Sequence, residues 1–120
     1  MKITAAICCY NGEKFLEAAI KSVLSQRRVP DEILLVNDGS RDGSGQIMEN
    51  FRSLPQVKVF HHATNLGQGE GFNTVIREAS GEMVCFLDAD DLWLPEKVNQ
   101  VEAAFVEHSD TVIVQHNMKI

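Results

Sequence analysis

Three aspartates, Asp88, Asp90 and Asp91, directly follow a short apolar run at residues 84–87. Side chains alternate along an extended chain, so Asp88 and Asp90 can point the same way. Two carboxylates on one side repel each other unless a cation neutralises them, and such oxygen ligands suit Mg²⁺ or Mn²⁺ carrying a phosphorylated ligand. The pattern indicates a metal site at the end of a buried strand. In the alternative, one aspartate caps the following helix and the others are solvated.

The elements that must position these acids follow a regular alternation of strands and helices. Short apolar runs predict strands at Ile3–Cys9, Glu32–Asn37, Val57–His61, 83–87 and 111–115. Helical spacing of apolar residues predicts four helices: 13–25, one capped by Asp42 or Ser44 and running through Leu54, 71–79, and one from Pro95 through Phe105 or Glu107. Apolar strands separated by helices indicate an α/β domain with a Rossmann-like, mostly parallel sheet and helices on both faces.

Polar residues and glycines follow each of the first four predicted strands. In parallel sheets, ligands bind outside the carboxyl ends of the strands, near the point where the strand order reverses. Loops at this edge are rich in turn-forming residues in any case, but acids after two different strands exceed that expectation. The residues brought to this edge are Tyr10, Asn11 and Gly12, then Asp38, Gly39 and Ser40, then Asn65 and Gly67, then Asp88, Asp90 and Asp91.

The composition predicts a single globular domain. The 120 residues are 44% hydrophobic and 23% charged, which is ordinary for a soluble protein, and the net charge of −6 argues against nonspecific nucleic-acid binding. A nucleotide ligand stays compatible, because a metal and backbone N–H groups can supply positive charge. We expect Cys8, Cys9 and Cys85 to be reduced thiols, with a Cys8–Cys85 disulfide as the alternative in an oxidising compartment. Neither a signal peptide nor a membrane span is visible, which favours a cytoplasmic location, including the inner face of the membrane.

These motifs, in this order and spacing, resemble the N-terminal, nucleotide-sugar-binding half of a family 2 glycosyltransferase with the GT-A fold. The resemblance covers nearly the whole chain. The residues that carry it are Tyr10 and Asn11, residues 20–26, residues 32–44 (EILLVNDGSRDGS), Asn65 to Gly67, Asn73, residues 79–82, residues 86–91 (FLDADD) and Pro95.

The resemblance implies a nucleoside-diphosphate sugar donor, UDP-linked by preference, bound with Mn²⁺ or Mg²⁺. The enzyme would transfer the sugar with inversion to a glycan or lipid acceptor in polysaccharide biosynthesis. Tyr10 would pack near the base, Asp38 would accept a hydrogen bond from it, and Asp88 and Asp90 would form the D-x-D pair. The implied substrate-binding set is Tyr10, Asn11, Asp38, Gly39, Ser40, Asn65, Gly67, Asp88 and Asp90, with loop formation as the alternative for Asn11 and Asn65; the implied metal ligands are Asp88, Asp90 and Asp91.

Three positions depart from the family pattern. Asn37 replaces an aspartate before Asp38, Phe72 replaces an arginine and removes a positive contact to the donor, and Val75 replaces a glycine. Family members continue for roughly as many residues again, with an acceptor site and an acidic general base. We therefore expect residues 1–120 to be the donor-binding portion of a truncated domain, with the base outside this chain. A homodimer is another way to cover the exposed sheet edge.

Two other functions remain open. A non-catalytic nucleotide-sugar-binding module would explain the missing general base. A sugar-phosphate nucleotidyltransferase would require a glycine-rich, basic loop after the first strand, which residues 9–14 do not provide. Trp93 is expected either in the core or at the sugar site, and Ser22 and Gln26 on a helix surface or in local hydrogen bonds. The four histidines are predicted to be structural or solvated.

Overall fold

The computed structural model describes residues 1–107, which form a four-stranded parallel sheet with helices on both faces. The strands are β1 (Ile3–Cys9), β2 (Glu32–Asn37), β3 (Val57–His61) and β4 (Met83–Asp88). The helices are α1 (Glu13–Leu24), α2 (Ser44–Glu49), α3 (Gln68–Glu78) and α4 (Lys97–Glu107). The predicted α/β architecture is confirmed, and the predicted strand at 111–115 lies outside the described residues.

The strand order is β3-β2-β1-β4, so β1 and β2 are central. All residues of β2 and all but one of β1 are buried, which explains their continuous apolar sequences. The outer strands instead alternate between buried and more exposed residues. The register pairs Cys8 with Val36 on one side and with Asp88 on the other. The last residue of β4 is thus an aspartate that lies beside the end of the central strand.

Two apolar clusters cover the two faces of the sheet. The larger packs α1, α2 and α4 against one face, through residues such as Ile20, Met48 and Val98. The smaller packs Val75 of α3 against Ala6, Leu34 and Val36 on the other face. A cluster on each face explains why the strands carry apolar residues at successive positions.

The helix boundaries differ from the sequence expectation in five places, one of which is the end of α3 at Glu78 rather than residue 79. Helix α1 ends at Leu24 rather than residue 25, and α2 ends at Glu49, although Phe51 and Leu54 still pack against the core. Helix α3 begins at Gln68, three residues early, because Gly67 turns the chain with a φ of 94°. Helix α4 begins at Lys97, two residues after Pro95. None of the described helices is long and apolar enough to cross a lipid bilayer.

Candidate functional site

A cleft of ≈ 310 Å³ opens at the carboxyl end of the sheet. It lies near the point where the strand order reverses, since β2 and β3 follow on one side of β1, whereas β4 pairs with the other side of β1. The described residues that line it come from the ends of β1, β2 and β4 and from the loop into α3: Cys8, Cys9, Tyr10, Asp38, Asn65, Gly67, Gln68, Gly71, Phe72, Phe86, Leu87 and Asp88. Five residues of the predicted substrate-binding set are among them.

Asp38 lines the cleft directly after β2 and is 5% exposed. Its Oδ1 accepts hydrogen bonds from the Leu66 N–H at 2.9 Å and from His62 Nδ1 at 2.8 Å, and its Oδ2 accepts one from the Gly67 N–H at 3.0 Å. Burial raises the pKa of Asp38, but these hydrogen bonds outweigh burial and hold the pKa below its ordinary value. An ionised carboxylate has about four accepting positions. Hydrogen bonds from the described residues occupy both positions on Oδ1 and one on Oδ2, so one accepting position on Oδ2 is left.

His62 connects Asp38 to helix α3. Because an ionised carboxylate only accepts, Nδ1 of His62 carries the proton that is donated to Asp38. Its Nε2 lies 2.8 Å from Thr74 Oγ1, which is also 3.0 Å from the Glu70 carbonyl oxygen. His62 was expected to be structural or solvated, and it is structural in a specific sense, since it fixes the orientation of the Asp38 carboxylate.

The three acids predicted to bind a metal converge after β4. Each of Asp88, Asp90 and Asp91 offers a carboxylate oxygen, and these oxygens all lie within 4.8 Å of one another. Oxygens on one octahedral Mg²⁺ are about 3 to 4 Å apart, so small side-chain rotations would bring this set into range. The Asp91 N–H donates to the Asp88 carbonyl oxygen at 3.0 Å, which folds the loop so that the carboxylates gather. The donor set fits a hard divalent cation.

Helix α1 holds the segment that follows these acids. Ser22 Oγ accepts the backbone N–H of Trp93 at 3.1 Å. Gln26 Nε2 donates to the Leu94 carbonyl oxygen at 2.6 Å, and Gln26 Oε1 accepts the Val98 N–H at 3.0 Å. Gln26 is 3% exposed, so the expected surface position is wrong. The expected local hydrogen bond is present, from Gln26 Nε2 to the Ser22 carbonyl oxygen at 3.2 Å, but the other two bonds reach distant residues. The hydrophobic run before position 26 gave no sign of partners some 70 residues away.

The cleft is negatively charged. Asp38 and Asp88 are its only charged lining residues within the described part of the chain. Burial, followed by the negative charge of Asp38, Cys9 and Asp88, raises the pKa of the Cys8 thiol to about 11. An anionic ligand here therefore needs an added cation or backbone N–H groups, such as those at the start of α3.

Several predicted residues do not line the cleft. The Asn11 N–H donates to Ser40 Oγ at 2.9 Å, and Asn11 Oδ1 accepts the Arg41 N–H at 2.8 Å, so these residues tie two loops together. Gly39 has a φ of 71° and packs against the Thr64 backbone. Asp90 and Asp91 do not line the cleft either, but their carboxylates converge with that of Asp88, which does. Trp93 was expected either in the core or at the sugar site. It is 8% exposed and belongs to the larger core cluster.

Comparison with protein families gives a match to the Glycosyl transferase family 2 model over residues 4–120. The chain belongs to this family. An uncharacterized glycosyltransferase of Nostoc sp. is 40% identical over 122 residues, covering 100% of this family 2 chain and 37% of the relative. The poly(ribitol-phosphate) beta-N-acetylglucosaminyltransferase TarS of Staphylococcus aureus is 32% identical over 120 residues, covering 96% of this chain and 21% of TarS. The family 2 chain thus spans about a third or less of these relatives.

Solved structures confirm the GT-A fold. Crystal structures of TarS residues 1–349, alone, with UDP and with UDP-GlcNAc, match with a TM-score of 0.81 and 33% identity. The match to the first covers 91% of this family 2 chain and 33% of the TarS chain. A mannosyltransferase from Pyrobaculum calidifontis, solved with GDP-Man and Mn²⁺, matches with a TM-score of 0.79 at 22% identity, over 87% of this chain and 32% of that one. That match is a likeness of fold.

Proposed function

We propose that this chain is the donor-binding portion of a glycosyltransferase that uses a UDP-sugar with Mn²⁺ or Mg²⁺. The observation that carries the proposal is that one cleft is lined by both the buried hydrogen-bond acceptor Asp38 and by Asp88, whose carboxylate converges with those of Asp90 and Asp91. TarS, a relative whose structure has been solved with UDP and UDP-GlcNAc, supports the choice of nucleotide.

The end of the cleft near Asp38 is suited to a base. Its remaining accepting position on Oδ2 would take an N–H from the ligand, and N3–H of uracil is such a donor. The cytosine ring has an acceptor at the same place, so the carboxylate disfavours a cytidine nucleotide. Tyr10, which is 49% exposed at the end of β1, offers a ring for packing against the base. Asn65 and Gly67 would border the same end of the cleft.

The end near Asp88 is suited to a diphosphate. A bound divalent cation would neutralise the diphosphate and stabilise the nucleoside diphosphate as it leaves. Asp88, Asp90 and Asp91 would hold that cation. Backbone N–H groups at the start of α3, on the wall of the cleft, would add donors for the phosphate oxygens.

We propose further that the complete enzyme transfers the sugar with inversion to a glycan or lipid acceptor. A general base would deprotonate the acceptor hydroxyl, and we place that base beyond residues 1–120. On this proposal, residues 1–120 bind the donor and do not supply the base.

Calorimetric titration of the chain with UDP, GDP and UDP-GlcNAc, each with and without Mn²⁺, tests the proposal. We expect UDP to bind only with the metal, and Asp88→Asn and Asp90→Asn to weaken this binding by about tenfold or more. Glu17→Gln is the matched control, because it removes one negative charge from an exposed ion pair on α1, outside the cleft. Metal-independent binding, or aspartate variants that bind as well as the control, would refute the proposal.

A further inference from the structure

Two exposed aromatic rings form one wall of the cleft. Phe72 of α3 and Phe86 of β4 are 40% and 42% exposed, and both line the cleft. Their ring centroids are 4.8 Å apart with an interplanar angle of 63°, an edge-to-face arrangement. The two rings therefore hold each other in place while both remain accessible from the cleft.

The surroundings of this pair suggest what it contacts. Phe72 lies one helical turn after Gln68, so the two share a face of α3. Phe86 lies two residues before Asp88, so the two share a face of β4. Each ring therefore has a polar lining residue of the cleft beside it. The lining charges within residues 1–107 are both negative, so the wall has no cation with which to attract an anionic group. A flat, uncharged, π-bonded group fits an aromatic wall in such a cleft. The base is that part of a nucleotide.

We propose that Phe72 stacks on the nucleobase of the donor and that Phe86 acts as a positioning residue that braces the Phe72 ring. This inference rests on the proposed function and adds a residue to its site. Stacking on an aromatic side chain accepts any base, because every base has a π face. Phe72 thus contributes affinity for the nucleotide but no specificity for a particular base. Asp38 supplies that specificity, because it accepts a hydrogen bond from an N–H of the base.

The decisive probe is 5,6-dihydro-UDP, in which the uracil ring is saturated and puckered but keeps its N3–H. In the presence of Mn²⁺, we expect the unmodified chain to bind UDP more tightly than dihydro-UDP by about fivefold or more, since base–aromatic stacking is worth about that factor or more. Phe72→Ala should reduce this ratio by weakening UDP more than dihydro-UDP, and the Tyr10 ring accounts for any preference that remains. Mn²⁺ with pyrophosphate, which has no base, should bind equally to both proteins.

Other variants separate stacking from structure. Phe72→Trp should keep the preference for UDP, and its indole fluorescence should change on UDP addition. Phe72→Leu keeps an apolar side chain, but its preference for UDP should fall as in Phe72→Ala. Phe86→Ala should reduce the preference by less than Phe72→Ala. Ile76→Ala is the control, because Ile76 is 65% exposed one turn further along α3 and does not line the cleft.

The outcomes distinguish this inference from the proposed function. UDP binding that keeps its full preference over dihydro-UDP in both Phe72→Ala and Phe72→Leu would overturn the stacking and leave the proposed function standing. Equal losses for UDP, dihydro-UDP and pyrophosphate in these variants would also overturn it, because they would show a damaged loop. Failure of the unmodified chain to bind any nucleotide would overturn both.

Discussion

Glu32 should be a major source of stability at the amino end of the parallel strands, opposite the cleft. It is 3% exposed at the start of β2, yet it is ionised. Thr4 Oγ1 and the Ser80 N–H donate to its Oε1 at 2.9 Å each, and Lys58 Nζ and Ser80 Oγ donate to its Oε2 at 2.7 and 2.8 Å. These four hydrogen bonds join β1, β2, β3 and the turn before β4 through one carboxylate.

The pKa gives the size of this effect. Burial raises the pKa of Glu32, but the hydrogen bonds outweigh burial and lower it from 4.5 to about 2. At about 1.36 kcal/mol for each pH unit, the ionised state stabilises the fold by about 3 kcal/mol. Because the folded-state pKa is depressed, this stabilisation is complete above pH 4.5 and is lost as the pH falls from 4.5 to about 2.

Urea unfolding of the chain and of Glu32→Gln tests this reasoning. Glutamine cannot accept all four donors and carries no charge for Lys58, so we expect a loss of about 3 kcal/mol at pH 7. The difference between the two proteins should shrink as the pH falls from 4.5 to about 2, because the Glu32 carboxyl of the unfolded chain then takes up a proton that the folded chain does not yet bind. Glu17→Gln, at an exposed pair with Lys21, should cost less than about 0.5 kcal/mol. A Glu32→Gln loss below about 1 kcal/mol, or one unchanged between pH 7 and pH 2.5, would refute the argument.

Three further predictions concern the site. Gly39→Ala should unfold at a lower temperature than Gly67→Ala: both glycines have positive φ, but a Cβ at Gly39 would lie 2.3 Å from the Thr64 carbonyl carbon, whereas at Gly67 it would meet nothing within 4 Å. Gln26→Leu should bind Mn²⁺ about tenfold more weakly in calorimetry, because the segment after the three aspartates loses its hydrogen bonds to Gln26. Unchanged affinity would show that the positions of the aspartates do not depend on Gln26. Alkylation of Cys8 at pH 8, followed by mass spectrometry, should be roughly a hundredfold slower than that of a free thiol, because its pKa is about 11.

Local patterns were sufficient to predict most of the fold. The bounds of β1, β2 and β3 agree with the prediction, because each apolar run is flanked by polar or turn-forming residues. The early start of α3 could not be predicted in this way. Residues 67–71 contain three glycines, which are typical of loops, but Gly67 turns the chain and Asp38 holds the N–H groups of Leu66 and Gly67 in front of the helix.

The site was predictable where a residue's role depends on its own strand. Asp38 and Asp88 reach the cleft because each ends or directly follows a strand of one parallel sheet. The supporting residues could not be found from sequence, because their partners are distant along the chain: His62 meets Asp38 across 24 residues, and Gln26 meets Leu94 across 68. The cleft brings several of the predicted residues together, but all of the substrate and metal assignments stay predictions, at Asp38 and Asp88 as well as at Asp90 and Asp91.

The strand order also determines when the cleft can form as the chain folds. Strands β1, β2 and β3 pair in sequence through short connections, but the other edge of β1 pairs with β4, with Ile3 opposite Met83. Closing so long a loop is slow relative to the local steps. In a folding intermediate with only the first three strands paired, Asp38 would be in position but Asp88 would not. A nascent chain would likewise expose the edge of β1 until residue 88 had been synthesised. Ligand binding would therefore report completion of the sheet, and a nucleotide present during refolding would stabilise the final pairing alone.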